Sequence, residues 1–385
     1  MTGAQKKPEG WDEAAAGPGA IVLADSIFDG QRLRPHTALL IADGKVAGIG
    51  VPMAQDRPLW RVPGLVSPGF VDLQVNGGGG VLFNNQPTPD GLLAIARAHR
   101  STGTAALLPT LITDAPEIME RAARAIPEVM GQEGIVGLHL EGPHLSLDRR
   151  GTHETRFIRP LDGHTLAIVA DLRARDVPLM LTLAPEAVAP GQIAHLVGQG
   201  VIVALGHSDA SFEQVQAALA EGAQTFTHLF NAMSQMQVRA PGMVGAAIRS
   251  DAYASMICDG IHVAPEMLAI ALRARPRDDR MIIVTDAMPT VAGPPQYDLY
   301  GRTIRLQEGR LVNEDGALAG AHVTMLQSVK YAVDVLDQTA EQVLRMAATH
   351  PAELMGLNDL SLLEGRSTKD VLLISTDWER AEFLG

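Results

Sequence analysis

Five strand-like runs of this sequence end in side chains that can do chemistry. They close on Gln74-Val-Asn76, on Glu141 of His139-Leu-Glu141-Gly-Pro143, on His207 of Leu205-Gly-His207-Ser, on His228 of Thr227-His228-Leu, and on Asp286 of Val284-Thr-Asp286-Ala. Glu141, His207 and His228 supply one carboxylate and two imidazoles, a donor set suited to one divalent ion, zinc or iron, with positions left open for water. Such an ion brings the pKa of a bound water to about 7 and polarises a carbonyl. Asp286, unligated or weakly ligated, would take the water's proton and pass it to a departing nitrogen. These parts suffice for amide hydrolysis. A single His at a strand end is more often a hydrogen-bonded structural residue, but that reading does not extend to five polar strand ends in chain order.

Side chains so far apart in sequence meet only if the strands share one end. Between residues 67 and 357, apolar runs of strand length alternate with helical patterns, the signature of repeated βα units. Candidate strands are 69–75, 105–109, 135–140, 179–183, 201–205, 225–228, 255–258 and 281–285, with helices at 89–100, 116–126, 191–197, 212–220 and 265–273. Eight strands predict an α/β fold, a (β/α)8 TIM-like barrel, in which all the polar ends fall on the carboxyl-terminal face where barrel chemistry sits. A doubly wound open sheet is the alternative. Short β-type runs punctuated by Gly and Pro occupy 20–66, and a matching run, Asp370-Val-Leu-Leu-Ile-Ser375, lies within 358–385, so both chain ends are expected to build one small β-sandwich domain. Residues 1–19, rich in Gly, Ala and charge, read as a loose tail.

Composition narrows the class. With 46% hydrophobic and 19% charged residues, the chain can bury a large core without resembling a disordered or membrane protein. A net charge of -13 argues against a nucleic-acid partner, since such proteins need basic surface. No run approaches a membrane span or an export signal, and the lone Cys258 sits in an apolar run as an inert, buried thiol; a cytoplasmic address is expected.

The ordered set of motifs resembles the N-acetylglucosamine-6-phosphate deacetylases of the amidohydrolase superfamily. It comprises Pro68-Gly-Phe-Val-Asp72-Leu-Gln74-Val-Asn76-Gly, Leu138-His-Leu-Glu141-Gly-Pro143, Gly151-Thr-His153, Gly206-His207-Ser, Thr227-His228-Leu-Phe-Asn231-Ala-Met233, Asp259-Gly-Ile-His262, Thr285-Asp286-Ala and Leu318-Ala-Gly320. The resemblance implies hydrolysis of the acetamide of N-acetyl-D-glucosamine 6-phosphate, with Glu141, His207 and His228 holding the ion, Asp286 as acid/base and His153 polarising the acetyl carbonyl. It also implies sugar contacts from Thr152, Asn231, Ala232, Asp259, Gly260, Ile261, Leu318, Ala319 and Gly320, and phosphate contacts from His262 and Arg239. Arg239 would reach a neighbouring subunit's site, making the protein a homodimer; a planar guanidinium suits phosphate oxygens. Many amidohydrolases carry a His-x-His pair where this chain has Gln74-Val-Asn76. Neutral amides are weak ligands, so one ion per chain is expected, with Gln74 and Asn76 as contacts to water or the site's edge.

Two departures stand out. His144 replaces the aromatic residue that commonly follows Glu-Gly-Pro, which bears on the edge of the sugar pocket, and the 365–370 connection is short, suggesting a trimmed small domain. The glycines of Asn76-Gly-Gly-Gly-Gly80 lack the following helix and Lys of a P-loop; they allow close backbone approach or form a flexible turn. An N-acetylgalactosamine 6-phosphate substrate, another acetamido sugar, an N-acyl amino acid, or a catalytically dead scaffold are the competing readings.

Overall fold

The computed structural model describes residues 7, 9–17, 19–52, 56–314, 316 and 318–385. Eight parallel strands form the central sheet: Phe70–Val75, Thr104–Ile112, Leu138–Glu141, Leu179–Leu183, Ile202–Leu205, Thr225–Phe226, Tyr253–Ile257 and Met281–Val284. Each pairs with its sequence neighbour, so strand order follows chain order. The first and eighth close the ring through a parallel bridge between Val75 and Ala287 and the Asp286 N–H donating to the Gln74 carbonyl at 3.0 Å. The structure is therefore the expected barrel and not the open sheet.

The strands read as near-continuous apolar runs because helices cover them outside and side chains fill them inside. Val71, Leu73, Leu108, Met180, Ala204, Ile282 and Val284 belong to the inner cluster. Above it lies a polar layer in which His139 meets Thr110 and Thr182, and Thr182 meets Thr227 at 2.7 Å. Expected helices are present as Pro89–Arg100, Pro116–Val129, Gln192–Gly198, Phe212–Ala220 and Pro265–Ala274. Local chemistry sets their starts: Thr88 caps the first with Pro89 following it, and Ser211 and Gln214 form a reciprocal capping box. Gly163–Ala174, Gly242–Arg249 and Met325–Asp334 are helices that the sequence reading did not place.

Both chain ends join in one seven-stranded mixed sheet, the small β domain expected of them. Ala20–Phe28 and Leu59–Pro68 run parallel at its centre and carry the remaining strands on their outer edges. The short C-terminal connection still supplies Val371–Ile374 and Ala381–Phe383. Residues 1–6, 8 and 18 of the expected tail lie outside the described residues. Trp11–Ala15, however, is a helix, and Trp11 is buried edge-on against Trp60 at 5.2 Å between ring centroids. The expected loose tail is corrected here: a buried indole contributes enough apolar area to dock a short segment.

One further element escaped the sequence. Gln296–Leu299, Arg302–Gln307 and Arg310–Val312 form an antiparallel sheet inserted after the eighth strand. Its apolar side, with Tyr297, Leu299, Ile304 and Leu311, packs on Ile112, Met288 and Ala319 beside the barrel mouth.

Candidate active site at the barrel mouth

The strand ends turn outward through uncommon backbone. His207, His228 and Asp286 all have positive φ, at 48°, 33° and 52°. L-residues adopt this region sparingly, and such strain collects where a side chain must be aimed. Here it aims imidazoles and a carboxylate at one point. Glu141 Oε1 lies 2.9 Å from His228 Nε2 and 3.2 Å from His207 Nε2, and the two imidazole nitrogens are 3.1 Å apart.

These residues fit a divalent ion. All three side chains are buried and their donor atoms lie within 4.8 Å of one another. Two imidazole nitrogens in such contact repel when both are bare and again when both are protonated, whereas a cation facing all three donors relieves both. His207 Nδ1 donates to the Arg149 carbonyl at 2.9 Å, which leaves the Nε2 lone pair for an ion. Burial alone would raise the Glu141 pKa, but His207 and His228, as hydrogen-bond partners and as charges, hold it well below the usual range.

Asp286 stands beside this group. Its Oδ1 accepts from Asn76 Nδ2 at 2.5 Å and Gln74 Nε2 at 3.1 Å, and Gln74 Nε2 also reaches Glu141 Oε1 at 3.0 Å. Burial, then the Glu141 charge, pushes the Asp286 carboxyl up to about 6, against the pull of His228, Asn76 and His262. A carboxylate poised near neutrality suits proton transfer in both directions.

His153 is buried edge-on to His207, ring centroids 4.4 Å apart. Its Nδ1 accepts from the Thr113 N–H at 3.4 Å, so the ring proton belongs on Nε2. Burial, aided by His207, lowers its pKa to about 3 and keeps it a neutral donor.

A cavity of about 170 Å³ opens above these groups, lined by Glu141, Gly151, Thr152, His153, His207, His228, Asn231, Ala232, His262, Asp286, Leu318 and Gly320. Most of the expected sugar contacts are thus brought together. Asp259, Gly260, Ile261 and Ala319 do not line the cavity, and Gly260 is exposed. The Asp259 carboxylate accepts the Ile261 and His262 N–H groups and His262 Nδ1, at 2.8, 2.9 and 2.6 Å, so it aims the imidazole. Arg239 is exposed on a loop and does not line the cavity of its own chain.

Sequence reasoning missed Ile112, Ile257 and Met288 in the cavity wall, because apolar strand ends look like core. His144 is fully buried, its Nδ1 on the Arg159 carbonyl at 3.1 Å, and it does not edge the pocket. The glycine loop is closely packed: a Cβ on Gly77 would meet the Val81 carbonyl at 2.5 Å, and one on Gly78 would meet His99 at 2.9 Å. Cys258 is buried, and burial pushes its thiol pKa up, as an inert thiol requires.

A parallel eight-stranded barrel presenting one carboxylate, two imidazoles and a neighbouring aspartate at its carboxyl-terminal mouth is the architecture of a metal-assisted hydrolase. The chain belongs to the amidohydrolase family, whose model matches residues 65–374. It is 39% identical over 353 residues to an N-acetylgalactosamine-6-phosphate deacetylase of Shewanella sp. (strain ANA-3), covering 89% of this chain and 88% of that one. It is 34% identical over 300 residues to an N-acetylglucosamine-6-phosphate deacetylase of Haemophilus influenzae, covering 76% and 78%. The crystal structure of N-acetylglucosamine-6-phosphate deacetylase from Pasteurella multocida superposes with a TM-score of 0.87 at 30% identity, over 95% of this chain and 98% of that one. A mutant of the Mycobacterium smegmatis N-acetyl-D-glucosamine-6-phosphate deacetylase, in complex with N-acetyl-D-glucosamine-6-phosphate, gives 0.85 at 30% identity, over 94% and 96%.

Proposed function

We propose that the protein hydrolyses the acetamide of N-acetyl-D-glucosamine 6-phosphate, releasing acetate and D-glucosamine 6-phosphate. The observation that carries this reading is the buried Glu141, His207, His228 group with Asp286 and His153 on one small cavity. One zinc or iron ion held by the three would supply Lewis acidity, acidifying a water and polarising the amide carbonyl. Asp286 accepts the water's proton as the new C–O bond forms. The His153 Nε2–H donates to the carbonyl oxygen as it gains negative charge. Asp286 then returns its proton to the amide nitrogen as the C–N bond breaks, so a single carboxyl serves as base and acid.

Thr152, Asn231, Ala232, Leu318 and Gly320 bound the space for the sugar ring, with Asp259, Gly260 and Ile261 in the turn that carries His262 and Ala319 between Leu318 and Gly320. His262 would meet the phosphate together with Arg239 of a second copy, because Arg239 is exposed outside its own cavity. The working unit in this reading is a homodimer. Gln74 and Asn76 steady Asp286 and the water's edge. No helix among the described residues is long and apolar enough to cross a membrane, in keeping with a cytoplasmic sugar-phosphate enzyme.

A second reading keeps the chemistry and inverts one hydroxyl: the galacto epimer, favoured by the 39% identity to a deacetylase of that name. Parallel assays of both phosphosugars and their dephosphorylated forms, on protein loaded with defined metals, decide between them. Release of acetate from neither phosphosugar would refute the function.

A further inference from the structure

We propose that Asp72 is a positioning residue for Asp286, acting through Thr285. Asp72 lies on the first barrel strand, fully buried, and does not line the cavity at the barrel mouth. Its carboxylate spans the seam where the barrel closes. Oδ1 accepts the Gln74 N–H and the Thr285 N–H, each at 3.2 Å, and Oδ2 accepts the Thr285 hydroxyl at 2.5 Å. The Thr285 oxygen in turn accepts the Ala287 N–H at 3.2 Å.

The consequence falls on the residue between them. Asp286 holds a left-handed backbone at φ 52°, and its own N–H goes to the Gln74 carbonyl at 3.0 Å. All three amides around it, at 285, 286 and 287, are therefore tied to the 72–74 segment, two of them through the Asp72 carboxylate or the hydroxyl it holds. The same carboxylate fixes the Gln74 N–H, and Gln74 is one of two side-chain donors to Asp286 Oδ1. One buried carboxyl group thus sets both the aspartate and a partner that orients it. Regular strand pairing does not do this: no ladder joins the first and eighth strands, which meet at the bridge between Val75 and Ala287.

The inference rests on Asp286 being the acid/base, and its test separates the two ideas. Thr285→Val removes the hydroxyl at nearly constant volume, and Thr285→Ser keeps the hydroxyl while losing the methyl. Thr285→Val should lower kcat about ten- to a hundredfold with KM and bound metal within about twofold of the parent, and Thr285→Ser should restore most of it. Asp72→Asn, which keeps an acceptor for the two amides but no longer accepts the hydroxyl, should resemble Thr285→Val. Combining the two should cost little more than either alone, since both break one linkage. Crystal structures of the Thr285 pair examine positioning whatever the substrate. The Val form should show Asp286 displaced from its Asn76 contact and the Ser form should not. Parent-like kcat in Thr285→Val, or an unmoved Asp286 in its crystal structure, overturns the proposal. Activity on neither phosphosugar in the parent enzyme would overturn the functional reading instead, leaving the crystal structures to decide on Asp72.

Discussion

Asn76 Nδ2 lies 2.5 Å from Asp286 Oδ1, so a neutral amide, not a cation, orients the carboxylate beside the metal-ligand group. Asp286→Asn would set amide against amide there and remove the proton acceptor. Turnover should fall by at least ~10²–10⁴-fold, while bound metal and substrate affinity stay near those of the parent. Single-turnover rates together with metal analysis measure this; near-parental rates would take Asp286 out of the mechanism.

Arg239 is exposed and outside the cavity that holds His262. If it serves the partner's site, Arg239→Ala and His262→Ala should each narrow the preference for phosphorylated over unphosphorylated sugar about ten- to a hundredfold, the worth of a charge-assisted contact of roughly 1.5–3 kcal/mol. Mixed dimers give the sharper outcome. An Arg239→Ala subunit paired with an Asp286→Asn subunit should regain one working site, built from the intact Asp286 of the first and the intact Arg239 of the second. Mixtures no more active than the separate variants would confine Arg239 to its own chain.

Acid sensitivity follows from histidines buried away from the site. Burial lowers the pKa of His99 to about 4, against the pull of the Gly77 carbonyl that accepts from its Nε2 at 2.9 Å; burial likewise lowers His144 to about 4, against the Arg159 carbonyl. Below pH 6.5 the unfolded chain takes up protons that the native state refuses. Stability held above pH 6.5 is therefore lost as pH falls towards 4, on the order of 3 kcal/mol for each such His, and the loss levels off once the native imidazoles also titrate. His99→Gln keeps a donor for Gly77 and removes the titration. Denaturant unfolding at pH 5 and pH 8 should show a smaller difference in this variant than in the parent, and an equal difference would clear His99.

The site was legible where chemistry and periodicity coincide. Glu141, His207, His228 and Asp286 are polar residues closing apolar runs, and a barrel leaves them nowhere to go but one face. Ile112, Ile257 and Met288 were not, because an apolar residue at a strand end reads the same whether it faces core or ligand. The three-stranded insert at 296–312 was hidden by its length, since strands of three to six residues give too few alternations to read. Asp72 carries no such signal in the sequence, for its partner Thr285 lies across a seam that only closure creates.

Gln74 decides how many ions the mouth can hold. Its Nε2 donates to Glu141 Oε1 at 3.0 Å and to Asp286 Oδ1 at 3.1 Å, so an N–H group lies between the two carboxylates that a second cation would have to bridge. Asn76 turns its own N–H to Asp286 from the other side. The positive edges of both amides thus face the space a second ion would need, and neither offers the imidazole lone pair that binds zinc well. Only the Glu141, His207, His228 group remains as a complete donor set among the described residues. One metal per chain should therefore accompany full activity, as counted by elemental analysis and located by anomalous scattering. Replacing the pair, Gln74→His with Asn76→His, should raise the count towards two while lowering turnover, because Asp286 would become a ligand and lose its freedom to carry the proton. Two ions in the parent enzyme, both needed for turnover, would show that these amides do not exclude a second cation.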